Sequence, residues 1–120
     1  AVSVVDDDRE AARARARRAV ALYLPVIGPY DTTGTLDPNL VARLSQHGHN
    51  GEWDAAARLI SDDLLERFAF AGNADDLIRQ AEALFATGAR RVEFGTPHGL
   101  ASETGIRILG ERVLPALKGD

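Results

Sequence analysis

Short β-branched apolar runs alternate with longer stretches whose apolar residues recur every three or four positions. The first run is Ala1-Val2-Ser3-Val4-Val5. It has the near-continuous apolar character of a strand buried on both faces. Asp6, Asp7 and Asp8 end it and offer an N-cap, with negative charge placed where a helix dipole favours it. The spacing of Ala12, Ala16, Ala19, Val20, Tyr23 and Leu24 predicts a helix over 8–24. Arg9, Arg13, Arg17 and Arg18 take its other side as a solvated face, and Pro25 is read as the stop.

Residues 25–36 carry turn signals: Pro25, Gly28, Pro29, Asp31 and Gly34. Asp37-Pro38 then reads as an N-cap followed by proline at the first helical position. Leu40, Val41 and Leu44 give this helix its stripe, and 47–51 ends it. Further short helices are predicted over 52–60 and from Ser61 to near Arg67. With no strand signal, 37–67 reads as a helical insertion beside the main scaffold.

The second unit is the short run Phe68-Ala69-Phe70-Ala71, then Gly72-Asn73. Asn73 and Asp76 form a capping-box pair, Leu77, Ile78, Ala81, Leu84 and Phe85 line one helix face, and Gly88 suits the C′ position. The third unit places a strand at Arg91-Val92-Glu93-Phe94 and a loop at Gly95-Thr96-Pro97-His98-Gly99. Ser102 then caps a helix to about Leu114, with Pro115 and Gly119 closing the chain. Repeated strand–helix units predict an α/β fold with parallel strands and right-handed crossovers.

Composition narrows the field. The 120 residues are 45% hydrophobic and 27% charged, with a net charge of −4. One domain over 1–120 is the expectation, with no basic field for nucleic acid. Zero cysteine excludes disulfides and thiolate metal sites. No apolar run approaches a membrane span of about 20 residues and no signal peptide is visible, so a cytoplasmic location is expected. The chain opens at Ala1, already inside an apolar stretch, which reads as a piece of something longer.

Several segments carry a resemblance in order. Residues 2–12 (Val2 to Ala12), 68–76 (Phe-Ala-Phe-Ala-Gly-Asn-Ala-Asp-Asp), 83–99 (ending Phe94-Gly95-Thr96-Pro97-His98-Gly99) and 105–115 (Gly-Ile-Arg-Ile-Leu-Gly-Glu-Arg-Val-Leu-Pro) resemble the last three strand–helix units of luciferase-like monooxygenases. The wording at 94–97 and 105–115 is most similar to the branch of coenzyme F420-dependent methylenetetrahydromethanopterin reductases. Asn73 and Ala74 stand where the family often has Thr and Pro. The resemblance implies the C-terminal three βα units of a TIM-type (β/α)8 barrel, far short of the about 250 residues of a full one. It also implies a parent oxidoreductase that passes hydride between a deazaflavin, coenzyme F420, and a small substrate. FMN is the alternative coenzyme, in a luciferase-like monooxygenase. A non-enzymatic, self-associating domain is the rival of a different kind. As an isolated fragment the chain is expected to be inactive.

The barrel rule places loops after strands on the catalytic face. Gly95, Thr96, Pro97, His98 and Gly99 are therefore the candidate coenzyme- or substrate-binding residues: two glycines for close approach, a hydroxyl, and an imidazole able to donate near neutral pH. The bland reading is a turn that closes the barrel. Catalytic residues are not assigned. His47 and His49 flank Gly48 but lack the third and fourth ligands that zinc requires, so no metal is expected. The aspartate runs read as caps, Trp53 as core or interface, and Glu93 as a strand carboxylate that would need a partner if buried. Three strands cut from a barrel would expose an apolar sheet face, and a homo-oligomer covering that face is expected.

Overall fold

The computed structural model describes residues 1–118, so the reading of Gly119 as a chain stop lies outside the described residues. Three parallel strands, β1 (Val2–Val5), β2 (Ala69–Gly72) and β3 (Gly95–His98), form a sheet in the order β2-β1-β3. The α/β class, the parallel strands and the helical segment between the first two strands are as the pattern predicts.

Helix α1 (Arg9–Ile27) is capped by Asp8, whose side chain accepts from the Ala11 amide. It runs three residues beyond the predicted stop, with Pro25 inside it. One proline costs one helical hydrogen bond, and Ile27 offsets the loss by packing against the core. Helices α2 (Pro38–His49), α3 (Trp53–Arg58) and α4 (Asp62–Phe68) make up the insertion, with Asp37 and Ser61 as the predicted caps. Helix α5 (Ala74–Ala86) has the full Asn73/Asp76 capping box, and Gly88 takes φ 102° just past its end. Ser102 was expected to cap the last helical segment and does not. Ala101 holds that position, and Ser102 Oγ donates to the Pro97 carbonyl. That segment comprises α6 (Ser102–Ile108), a π-helical turn (Leu109–Val113) and α7 (Leu114–Leu117), which includes Pro115.

The third strand corrects the sequence reading. Residues 91–94 are not a strand, and β3 is built from the expected loop residues Gly95–His98. Proline disfavours a strand interior because it donates no backbone hydrogen bond. β3 is an edge strand, where a missing donor is tolerated, and its register with β1 is irregular. Gly95 is fixed by close approach: its amide donates to the Ala1 carbonyl at 2.7 Å, and a Cβ there would stand 2.5 Å from that oxygen.

Strand order decides the layers. A right-handed crossover places its helix on one face when it moves one way across the sheet, and on the other face when it moves back. The chain goes from β1 to β2, then returns past β1 to β3. One buried cluster joins Val4, Ala69 and Ala71 to α1 and the insertion through Ala16, Val20, Leu24, Leu44 and Leu65. The other joins Val5 and Phe70 to Leu77, Ala81, Ile108, Leu109 and Val113. Consecutive barrel strands would lie side by side in chain order with all helices outside. Here both sheet faces are covered: Ser3, Val4 and Val5 are fully buried and Phe70 is 5% exposed. The apolar sheet face that was expected to drive self-association is therefore closed by the chain's own α5 and C-terminal helices.

Candidate functional site: a groove beside the third strand

The predicted site residues fall into two groups. Thr96 and Pro97 lie within the sheet and line a groove of about 710 Å³ with Val2, Arg15, Arg18, Ala19, Leu22, Tyr23, Val26 and Trp53. The helices that cover β1 and β2 on this face leave β3 open, so the groove is bounded by α1, α3 and the sheet. It adjoins the second half of α1 and Val2, towards the amino ends of the strands. Ligands of open α/β sheets ordinarily sit at the carboxyl ends. Only His98 and Gly99 reach that end.

His98 has φ 75°, a conformation that costs most side chains energy, and its Nε2 lies 3.1 Å from the Phe94 carbonyl. Gly99 and Gly105 let the strand end press on α6: a Cβ on Gly99 would lie 2.8 Å from Gly105 Cα and from the Ala101 carbonyl. Both loop glycines therefore serve internal packing. Thr96 and the remaining His98 nitrogen are the groups of this segment left to meet a ligand.

At the carboxyl end the charges are already paired. Asp7 accepts from Arg112 at 2.9 Å, and Asp76 from Arg9 at 2.8 Å. The Asp6 side chain accepts from the Asp8 amide, while Asp8 caps α1. His47 Nδ1 lies 3.3 Å from Glu52 and His49 Nδ1 3.1 Å from the Ser45 carbonyl, so the two rings serve different partners. No cluster of three or more His, Asp or Glu among the described residues is arranged to hold a metal. Glu93 is exposed, outside any strand; its carbonyl accepts from the amino terminus. Trp53 stacks near Gly48, where a Cβ would meet its ring at 3.2 Å, and its other side lines the groove.

One arginine of the supposedly solvated face is buried. Arg13 is 6% exposed and pairs with Glu66 at 3.2 Å and Asp62 at 3.5 Å. Glu66 also accepts from Gln80, whose amide oxygen takes the Ala71 amide on the outer edge of β2. The sequence signalled this only through spacing, since Arg13 lies one position from the core residue Ala12. Burial pushes Glu66 and Asp76 up. Hydrogen bonds from Gln80 and Arg13, and the Arg79 and Arg13 charges, outweigh this for Glu66. The Asn73 amide and Arg9 outweigh it for Asp76, with Arg79 adding to the same effect, so both carboxyls end below their ordinary values. A carboxyl lowered by folding stabilises the fold above its unfolded pKa and loses that contribution as pH falls through the folded value. Stability should therefore decline on acidification below the ordinary values of 4.5 for Glu66 and 3.8 for Asp76. Urea titrations across that range should show a shallower decline for Glu66→Gln; an unchanged slope would remove Glu66 from the account.

Comparison with known proteins gives a consistent result. No protein-family model matches the chain. It is 29% identical over 119 residues to a 5,10-methylenetetrahydromethanopterin reductase of Archaeoglobus fulgidus, covering 95% of the chain and 36% of that protein. It is 28% identical over 83 residues to the reductase of the same name from Methanopyrus kandleri, covering 69% of the chain and 24% of the relative. Among solved structures, the coenzyme F420-dependent tetrahydromethanopterin reductase of Methanopyrus kandleri superposes with a TM-score of 0.79 at 23% identity, over 97% of this chain and 34% of that one. No helix among the described residues is long and apolar enough to cross a membrane. The chain spans between about a quarter and about a third of the length of these relatives. Along nearly its whole length the chain is similar in sequence to part of the 5,10-methylenetetrahydromethanopterin reductases, and its parallel α/β fold matches part of a (β/α)8-barrel reductase.

Proposed function

We propose that this chain is part of a coenzyme F420-dependent oxidoreductase that passes hydride between the deazaflavin and a small substrate. The observation that carries the reading is 29% identity sustained over 119 residues with one such reductase. The fold match to another supports the scaffold. Within the chain, residues Gly95–Gly99 are the proposed contact segment, with the Thr96 hydroxyl as its donor and His98 Nδ1, whose ring donates from Nε2 to the Phe94 carbonyl, as an acceptor.

The fit of a coenzyme to these residues is partial. Gly95 and Gly99 are filled from within the chain, so they do not cradle a ligand. Thr96 is exposed and open to a hydrogen bond. Hydride chemistry belongs to the coenzyme, and the protein supplies position and excludes water. With two polar groups and no enclosed pocket around them, the 120 residues alone are proposed to be inactive.

A chimera tests this. Residues 1–118 would replace the matched third of the Archaeoglobus reductase, and coenzyme oxidation would be followed by absorbance. Retained F420-dependent turnover is expected. Thr96→Val in that chimera should raise the coenzyme or substrate Kd by about fivefold, the worth of one hydrogen bond. A chimera that folds but binds no F420 would refute the assignment.

A further inference from the structure

We infer that Gln80 is a built-in edge guard: its side chain, held by Glu66 and Arg13, takes the place of a neighbouring strand on the outer side of β2 and ends the sheet there. The inference is independent of the proposed hydride chemistry. Every group it uses lies between residues 13 and 80 of this chain, so the closure needs nothing from outside it.

Backbone geometry fixes which groups are at stake. Alternate residues of a strand turn their amide and carbonyl towards one neighbour, and the rest turn towards the other. The Gly72 carbonyl accepts from the Asp6 amide, just past β1. Gly72 and Phe70 therefore face β1, and Ala69 and Ala71 face away from it. β2 is the last strand on that side, so these are the two amides an added strand would need. Both are taken from within the chain. The Ala69 amide donates to the Leu65 carbonyl at the end of α4. The Ala71 amide donates to Gln80 Oε1 at 3.1 Å.

The two closures differ in kind. The first continues the helical hydrogen-bond pattern of α4 by one residue. The second needs a side chain from α5, and a glutamine amide is free to turn. Two contacts stop it from turning. Gln80 Nε2 donates to Glu66 Oε2 at 2.7 Å, which aims the amide oxygen, not the nitrogen, at Ala71. Glu66 Oε1 in turn accepts from Arg13 Nη1 at 3.2 Å. Arg13 and Gln80 are 6% and 7% exposed. Burying two such polar side chains is unfavourable unless each is hydrogen-bonded, and apolar residues could fill the same space without that cost. What apolar residues could not do is accept the Ala71 amide. An edge with unpaired amides is a template for a further strand, and this relay removes the template.

Amide exchange followed by NMR on the 120-residue chain tests the inference. Gln80→Leu keeps the bulk and removes the acceptor. Exchange at Ala71 should then quicken by about tenfold or more relative to Ala69, the scale of one unmade buried hydrogen bond. The ratio is the measure, because general destabilisation would quicken both amides alike. The double variant Glu66→Gln/Gln80→Glu exchanges the two head groups. The carboxylate at 80 accepts from Ala71 and from the amide at 66, whose oxygen still accepts from Arg13, so the ratio should return most of the way. Once open, the edge should recruit strands: thioflavin T fluorescence should rise on incubating Gln80→Leu and stay flat for the double variant. The unsubstituted chain gives a reading that no folding failure can remove. Its Gln80 side-chain amide protons should exchange more slowly than those of exposed Gln46. Four results would overturn the inference: an unchanged Ala71 to Ala69 ratio in Gln80→Leu, a double variant no better than Gln80→Leu, flat thioflavin T fluorescence in Gln80→Leu, or a Gln80 side chain that exchanges as fast as Gln46.

Discussion

Gly105→Ala is expected to destabilise the chain by about 3 kcal/mol, at the upper end of what overpacking costs. Gly105 is the point where α6 rests on the end of β3. A methyl group there would fall well inside van der Waals contact with the His98 carbonyl and 2.6 Å from the Gly99 amide. All of these are backbone atoms, so no side chain can swing aside. Relief requires lifting α6 from the strand, and that would loosen Ile108, Leu109 and Val113 from the core they share with Phe70 and Leu77. Urea denaturation measures the loss directly. Gly110→Ala is the control, because nothing lies within 4 Å of a Cβ at that position. If the two alanine variants proved equally stable, the close packing of 98–99 on α6 would be wrong.

Leu77→Ala is expected to cost about 3 kcal/mol, within the range for truncating a buried leucine. Leu77 is fully buried and sits on α5 against Val5 and Phe70. The size of this loss depends on the layer arrangement. If the sheet face bearing Val5 and Phe70 were open, as in strands lifted from a barrel, trimming a leucine near it would leave little cavity and cost little. Because α5 closes that face, the methyl groups removed leave a void among well-packed neighbours. Leu84→Ala on the same helix, where Leu84 is 42% exposed, should stay under about 1 kcal/mol. A Leu77 loss as small as that of Leu84 would show that the second layer is loosely held.

The candidate site was legible only in part. Residues 95–99 were picked out by glycine, proline and a titratable side chain in one short run, and two of them do line the groove. The other wall was not visible. Ala19 and Tyr23 had been assigned to a core face and Arg18 to a solvated one, and Arg15, Leu22 and Val26 to neither, because periodicity describes one helix at a time. The register of α1 against an uncovered edge strand is a property of the assembled sheet. Arg13 was misplaced for the same reason: its burial depends on Glu66 and Gln80, which lie 53 and 67 positions away in sequence.

The sequence by itself determined what local physics controls. It determined the helices and their caps at Asp8, Asp37, Ser61 and Asn73, the left-handed Gly88, the buried β1 and the parallel α/β class, because each of these depends on residues within a turn or two of one another. Tertiary structure alone decided the order β2-β1-β3, the closing of both sheet faces, the conversion of 95–98 from loop to edge strand, and the exposed second face of α1. Each of these depends on which neighbour a strand finds across the sheet. That choice is set by the summed burial of distant side chains, which no window along the chain contains.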